Sequence, residues 1–434
     1  MSLITQHNPV KKYDLEQKLS SPFYTLALIV TYTSLLFRDA AGGAFRYYTD
    51  IYGVGSAWYL PDVFAALYFL LLLQTVLHKR NLATILPLAF LFISSLIGVL
   101  TTKSALSVLS AIKMLLPLLI GFYAAKQRDI PLKNRTIHGF ILAFSIAGVL
   151  WNNTAQLPWT NYVAVNEFGV SRIAANQRWI AGVDRLAGFA SDSTAAGYTI
   201  MLCVIFLMNT LPLRAALAIA AISIYPIYLT TSRTAGVALF FYVLSFLLYK
   251  ARATRILKLL FLGICILFVL LPFVLPIVGG VLSYEDIPSW AASMMDRIKS
   301  TWVNPFAYIW DHFLFAFITG MGLGSVAFPV KFSDQLSRAF NCADNFMLAN
   351  YLMFGVAGVW TTIVLLKQAY KNLPPANIAI LITFLAYGFA IQGYGVSTYA
   401  LIVGFLLGGN ELQKQKKPTP KLMNGPTARE GSSK

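Results

Sequence analysis

The sequence predicts an all-α membrane protein with about twelve transmembrane helices. Of its 434 residues, 57% are hydrophobic and only 12% are charged, whereas soluble domains carry roughly 25% charged residues. Apolar runs close to the ~20 residues that a helix needs to cross a bilayer recur along the chain. Together with a mean hydropathy of +0.66, these runs exclude an ordinary soluble globular fold.

The predicted elements follow one another in a simple order. Segment 1–20 is a polar cytoplasmic segment, too polar and too long before its first apolar stretch to be a cleaved signal peptide. Nine spans are expected within 21–282 and three within 346–409, and the basic tail 410–434 is expected to be disordered. The spans are predicted at 21–37, 61–77, 82–100, 104–125, 136–152, 189–209, 212–230, 234–249, 256–282, 346–366, 375–391 and 393–409.

The charge pattern predicts the orientation. The chain has 34 basic and 17 acidic residues, a net charge of +17, which in a soluble chain would suggest nucleic-acid binding. When the N-terminus is placed inside, the inner segments together carry the whole of this net charge, in agreement with the positive-inside rule. We therefore expect both termini in the cytoplasm, and membrane lipids rather than nucleic acid as partners.

Long segments on the predicted outer side, 38–60, 153–188 and 283–345, are where function is expected, because long loops in compact proteins are usually functional. The last of them contains apolar residues at helical spacing, typical of amphipathic surface helices. The three cysteines show no disulfide framework, zinc spacing or nucleophilic pattern, and no outer cluster has the spacing of a metal site. We expect no metal and no cofactor.

Arginines on the predicted outer side run against the charge bias. Three lie in SRIAANQRWIAGVDRLAGF and one lies in LTTSRTAG. Arginine presents a fork of donors that suits phosphate oxygens, so an anionic ligand is one hypothesis. Pairing with Glu167, Asp184 or Asp192, or contact with lipid headgroups, is the alternative. The four residues are Arg172, Arg178, Arg185 and Arg233.

Two residues are candidates for a general base. Asp344 directly precedes a long apolar span, where it would act either as a base at the membrane surface or as a plain N-cap. His312 is the one histidine expected outside, and its aromatic surroundings fit an interfacial belt equally well. Snorkelling to the outer interface explains Lys103 and Lys113. The glycines of FITGMGLGSVAF lack the strand and Lys-Ser/Thr of a nucleotide loop, which favours a tight loop re-entering toward the membrane.

Taken in order, these motifs resemble the O-antigen ligase and O-antigen polymerase superfamily of polytopic membrane glycosyltransferases. The resemblance covers most of the length in layout, and each motif is weak alone. The motifs are Arg185-Leu186-Ala187-Gly188-Phe189, Thr231-Ser232-Arg233, Gly320-Met321-Gly322-Leu323-Gly324-Ser325, and Asp344-Asn345-Phe346-Met347-Leu348 followed by Gly355 and Gly358.

The resemblance implies a fold similar to the C-type glycosyltransferases, with a large helical periplasmic loop, in the bacterial inner membrane. It implies a glycan donor carried on undecaprenyl diphosphate at the periplasmic face, and inverting transfer without a metal. Arg185 and Arg233 would bind the diphosphate, with Arg172, Arg178, Asn345 and His312 as further substrate-binding candidates. Asp344 would face the acceptor hydroxyl.

In the ligases this last motif begins with histidine, and here it begins with Asp344. The difference favours a polymerase for O-antigen, capsule or exopolysaccharide, which extends a lipid-linked repeat unit and can work with a chain-length regulator. A ligase that delivers the glycan to lipid A-core remains the alternative, and it leaves His312 as the second candidate for the base. A transporter or flippase of lipid-linked oligosaccharide fits less well, because the predicted spans carry few charges away from their outer ends.

Overall fold

The computed structural model describes residues 21–79, 82–165, 171–176, 179–180, 183–279, 292–339 and 344–413, and most of them are helical. A helix occupies each of the twelve segments in which a span is expected. The helices are α1 (Pro22–Ile51), α2 (Leu60–Lys79), α3 (Leu82–Thr102), α4 (Ala105–Tyr123), α5 (Asp129–Leu132), α6 (Arg135–Thr154), α7 (Ser193–Thr210), α8 (Leu213–Leu229), α9 (Arg233–Lys250), α10 (Thr254–Gly279), α11 (Ala292–Asp296), α12 (Asn304–His312), α13 (Ala316–Thr319), α14 (Asp334–Ala339), α15 (Phe346–Asn372), α16 (Pro375–Gly388) and α17 (Ser397–Gln413).

Several of these helices have the length and composition of membrane spans. Among the described residues, 7 helices are long and apolar enough to cross a bilayer, and three shorter apolar helices accompany them. Large apolar side chains such as Phe92, Leu100 and Ile277 are exposed on the helix surfaces, as expected where lipid is the solvent. The molecule thus has the character of a membrane protein, while the number of twelve spans stays a prediction.

Helix α7 is the most fully buried of the seven helices long enough to span a membrane in the described part of the chain. Its side chains are buried almost without interruption from Ser193 to Met208, and this lack of a polar face is typical of a helix surrounded by other helices. Asp192 begins α7 as its N-cap, and its carboxylate accepts a hydrogen bond of 2.8 Å from the backbone N–H of Ala195. Helices α6, α8 and α9 all pack against α7. This packing fixes the ends of α7, α8 and α9 relative to one another.

The segment between α6 and α7 corrects the all-α prediction in detail. It contains four short strands, β1 (Val163–Val165), β2 (Ser171–Ile173), β3 (Trp179–Ile180) and β4 (Val183–Asp184). They form two antiparallel pairs, with Val163 opposite Ile173 in the first. β-Branched residues suit such an exposed ladder, and the segment lacks the helical period that the flanking spans show. The molecule is a helical protein with a small β insertion.

The glycine-rich segment forms a tight buried loop, as expected, between α3, α4 and α15. The N–H of Leu323 donates to the carbonyl of Ser94 at 2.9 Å. Gly322 has a φ of +78°, and a Cβ at this position would lie 2.2 Å from the backbone nitrogen of Gly98. Both the conformation and the close approach of two backbones require glycine. The segment therefore connects helices.

A buried ion cluster joins α1, α2 and α4. The guanidinium of Arg38 lies 2.7 Å from the Asp62 carboxylate and donates to the Ser397 hydroxyl at 2.6 Å. The ammonium of Lys113 lies 3.4 Å from the same carboxylate. We expected Lys113 to extend to the interface, and it instead forms part of this cluster. Two cations and one carboxylate thus hold three helices together near the middle of α1.

Candidate active site

A large cavity opens beside the ends of α8 and α9, with a volume of about 1980 Å³. Three arginines line it: Arg185, Arg233 and Arg297. They come from three separate parts of the sequence, the segment before α7, the first residue of α9 and the turn after α11. The structure therefore brings together two of the arginines predicted to bind an anion, and adds a third.

The motif that follows Arg185 anchors it. Leu186 and Ala187 are buried, and the ring of Phe189 stacks on Phe144 with centroids 4.4 Å apart. Gly188 donates its N–H to the Asn152 side chain at 3.1 Å, and its carbonyl accepts from the indole of Trp159 at 2.8 Å. These contacts fix the backbone beside Arg185, so the motif acts as a rigid support for the guanidinium at the cavity wall.

Two hydroxyls orient the Arg185 side chain. Its Nε donates to Thr231 Oγ1 at 2.9 Å, and a terminal nitrogen donates to Thr194 Oγ1 at 3.5 Å. Thr194 belongs to the first turn of α7, and Thr231 lies in the turn between α8 and α9. These hydroxyls accept hydrogen bonds from the guanidinium and so fix its orientation. Arg185 is therefore held in place by the same turn that precedes Arg233.

The turn between α8 and α9 is strained. Thr231 has a φ of +51°, which is rare for a β-branched residue and is found mostly where surrounding contacts enforce it. Thr230 supports the turn by accepting from the N–H of Ser232 at 3.3 Å. Arg233 then begins α9. This backbone conformation places the Thr231 hydroxyl toward Arg185 and the Arg233 side chain toward the cavity.

The third arginine, Arg297, was not predicted as a site residue. It begins a short π-helical turn after α11, and its Nε lies 3.6 Å from a carboxylate oxygen of Asp344. Asp344 does not line the cavity itself but reaches its edge through this contact. Arg297 carries the same signal in the sequence as the other arginines, a basic residue on the predicted outer side.

Asn345, rather than Asp344, caps α15. The Asn345 side-chain oxygen accepts from the N–H of Leu348 at 2.9 Å, and its amide donates to the carbonyl of Phe389 at 2.7 Å. Phe389 lines the cavity. Asn345 therefore connects the start of α15 to the cavity wall, and Asp344 lies one residue outside the helix. The alternative in which Asp344 serves as a plain N-cap is thus wrong.

The remaining predicted residues lie elsewhere or outside the described part of the chain. Arg172 lies in β2, opposite Ala164, and its side chain is not described; Arg178 lies outside the described residues. His312 is exposed at the end of α12, where its ring stacks on Tyr308 with centroids 4.3 Å apart. It does not line the cavity. The structure therefore does not bring His312 together with the arginines.

The part of the cavity that lies between α8 and α9 is apolar. We call this part the apolar groove. Arg233 stands at one end of it, and Val243 lies ten positions further along α9, about 15 Å deeper. No charged side chain interrupts this stretch in the part of the chain that the structure describes. Its residues are Leu217, Ala220, Ala221, Ile224, Gly236, Val237, Phe240 and Val243.

Potential metal ligands do not cluster within the described residues, because these contain no group of three or more His, Cys, Asp and Glu that could hold a metal ion. In comparisons with known proteins, no protein-family model, no curated protein and no solved structure matches this chain. The chemistry of the cavity is therefore the basis for assigning a function.

Proposed function

We propose that the protein is a membrane glycosyltransferase that moves a glycan from undecaprenyl diphosphate to a hydroxyl of a lipid-linked repeat unit, a polysaccharide polymerase of the outer face of the inner membrane. One observation carries the proposal. Three arginines line one end of the cavity, together with the carboxylate of Asp184, and the cavity continues from there into the apolar groove. A ligand that matches both parts has an anionic head and a long hydrocarbon chain.

The positive charge of the three arginines suits an anionic head group. Arg185, Arg233 and Arg297 all line one cavity, and guanidinium groups bind phosphate oxygens through paired hydrogen bonds. A diphosphate carries several negative charges, which suits more than one arginine. The described partners of Arg185 are hydroxyls of Thr231 and Thr194, so the guanidinium is oriented before the ligand arrives. Donors that are already oriented in this way make the largest electrostatic contribution to the rate of a reaction.

The tail argument rests on the apolar groove. It continues about 15 Å from Arg233 along α9, with leucine, isoleucine, valine and phenylalanine side chains along it. A polyprenyl chain buries apolar surface there at a gain of roughly 25 cal/mol per Å². A free nucleotide sugar has no group that matches this half of the cavity, which favours a lipid-linked donor.

The chemical step follows from this arrangement. The acceptor oxygen attacks the anomeric carbon as the bond from that carbon to the diphosphate oxygen breaks, and the leaving electron pair stays on the diphosphate. The arginines stabilise that developing charge. Asp344, 3.6 Å from Arg297 at the cavity edge, takes the hydroxyl proton as general base. Attack from the face opposite the leaving group inverts the anomeric centre.

The test is a reconstitution of the purified protein with undecaprenyl-diphosphate-linked oligosaccharide, with and without lipid A-core, followed by gel separation of the glycolipids. We expect a ladder on the polyprenyl carrier alone. Product that forms only on lipid A-core would replace the polymerase with the ligase. Absence of product from either acceptor, with a native donor, would overturn glycan transfer and favour transport.

Variants of the arginines link the activity to the cavity. Arg185→Ala and Arg233→Ala should each lower the transfer rate by about 100-fold or more, the effect of removing one preorganised donor from an oxyanion site. Arg214→Ala is the matched control, because Arg214 is an exposed arginine at the opposite end of α8. Near-normal transfer by both cavity variants, at normal protein levels, would remove the diphosphate-binding role.

A further inference from the structure

Beyond the mouth of the cavity lies a cluster of tyrosines that the catalytic step does not use. Tyr48 and Tyr52 are 45% and 74% exposed, and their rings lie nearly parallel, 17° apart with centroids at 6.3 Å. Tyr47 packs edge-on beneath Tyr48 with centroids at 5.2 Å. Because both rings are exposed, the burial of apolar surface does not explain why they are held nearly parallel.

The two rings belong to a cluster that joins α1 to the segment before β1. Tyr48 follows Arg38 by ten positions on α1, which places it about 15 Å further along the helix axis than the contact of Arg38 with Asp62. The ring of Trp159 lies with its centroid 6.0 Å from that of Tyr48. Tyr48 therefore packs against the long segment between α6 and α7.

Polar residues connect this cluster to the cavity. Asn153, Gln156 and Asn161 line the cavity mouth, and the neighbour of Asn161 is Tyr162, whose ring packs on Tyr47 with centroids at 5.0 Å. Amide groups both donate and accept hydrogen bonds, which matches sugar hydroxyls. The amides that line the cavity are therefore connected to the two exposed rings through Tyr162 and Tyr47.

The base of the cluster is rigid. The Tyr162 hydroxyl donates to the Asp50 carboxylate, and this hydrogen bond raises the pKa of Tyr162, so the hydroxyl stays protonated and the contact persists. Trp159 is buried beneath Tyr47 and Tyr48 and donates to the carbonyl of Gly188. Gly188 belongs to the motif that anchors Arg185. The two exposed rings are thus fixed relative to the cavity wall.

We propose that Asn153, Gln156, Asn161, Tyr48 and Tyr52 form a glycan track, an elongated binding site for sugars several units away from the diphosphate. Amide side chains bind the sugar hydroxyls, and the two tyrosine rings stack on the C–H faces of the sugar rings. The inference rests on the proposed function and deepens it, because it assigns a holding site for the polymer chain. A polymerase with such a site keeps hold of the chain between successive transfers.

The test uses the full chain in nanodiscs and compares the double variant Tyr48→Ala/Tyr52→Ala with the wild type. The binding probe is a set of oligosaccharides released by mild acid from the surface polysaccharide of the source cells, measured by saturation-transfer NMR and calorimetry. The loss of two stacking faces should weaken binding by about tenfold. In the reconstituted reaction, the same variant should yield shorter products at a similar initial rate.

Two controls separate stacking from structure. Tyr48→Phe/Tyr52→Phe keeps both rings and should bind as the wild type does. Tyr225→Ala removes another tyrosine that is 56% exposed, on α8, and that does not line the cavity; it should change neither readout. Unchanged affinity and product length in the double alanine variant, or no oligosaccharide binding by the wild type, would overturn the track while leaving transfer intact. Tyrosine-dependent binding by a protein that transfers no glycan would keep the track and overturn the proposed function.

Discussion

Two arginine–aspartate contacts in the described part of the chain differ in tightness and exposure. Arg38 and Asp62 approach to 2.7 Å, with side chains 10% and 13% exposed. Arg297 and Asp344 approach to 3.6 Å, with side chains 27% and 41% exposed. The first contact joins helices α1 and α2, and the second stands at the edge of the large cavity.

The difference separates a structural pair from one that can exchange partners. Two ions removed from water stabilise the fold only while both are present, because loss of one leaves the other buried without compensation. A longer, more exposed contact is worth roughly 0–1 kcal/mol and yields readily to a ligand. An arginine–aspartate pair therefore stabilises the fold at one place and is suited to catalysis at the other.

The largest effect expected is on stability. Asp62→Ala removes the carboxylate that contacts both Arg38 and Lys113, and should lower the free energy of unfolding by about 3–5 kcal/mol. Asp344→Ala should change it by less than about 1 kcal/mol. Thermal and denaturant unfolding of the purified proteins in one detergent measures both. Similar losses in the two variants would show that exposure does not distinguish the pairs.

The transfer rate should depend more on the exposed Arg297–Asp344 pair than the stability does. Arg297→Ala should lower the transfer rate by about 100-fold, because it removes one of three cations from the diphosphate site, and should leave the unfolding temperature near that of the wild type. Arg297→Lys should recover part of the loss, since it restores charge without the fork of donors. Initial transfer rates at saturating donor concentration measure both effects. A fully active Arg297→Ala protein would place the ligand elsewhere in the cavity.

The role of Asp344 is tested by a change that keeps its shape. Asp344→Asn removes the proton acceptor, and since α15 is capped by Asn345, the helix start is unaffected. We expect transfer to fall by about 100-fold with unchanged donor binding. Asp344→His supplies another base and should retain activity. Full activity of the asparagine variant would return the search for the base to the outer segments.

The smallest effect concerns the apolar half of the cavity. Ala221→Trp places an indole in the apolar groove and should raise the KM for the undecaprenyl donor by about threefold to tenfold, by displacing part of the lipid chain. A donor with a short prenyl chain should be affected less. Ile222→Trp is the control, because Ile222 is on the same helix, 67% exposed and away from the cavity. Equal effects of the two variants would contradict the tail assignment.

Much of the architecture was predictable. Apolar runs of membrane length predicted twelve of the helices, although α1 continues to Ile51, into the segment predicted as an outer loop. Arg185 and Arg233 stand out in the sequence because arginines on a predicted outer side run against the charge bias. The structure places both at one cavity. Their role in binding a diphosphate, like the orientation and the number of spans, stays a prediction.

Other features were not predictable because they depend on contacts distant in sequence. Arg297 lies more than sixty positions after Arg233, and nothing local brings the two to one cavity. Lys113 looked like a residue extending to the interface, since its partner Asp62 belongs to another helix. The cap of α15 fell on Asn345 rather than Asp344, a difference of one residue that only the local backbone decides.

The sequence by itself determined that the chain forms apolar helices, where most of them begin, and which arginines are unusual, because hydrophobicity, helix period and charge bias are local properties of the chain. Tertiary structure alone decided that three arginines share a cavity, that an apolar groove leads away from them, and which carboxylate is buried and which is exposed. These depend on how α7 and its neighbours pack, and packing is set by the shapes of many side chains at once.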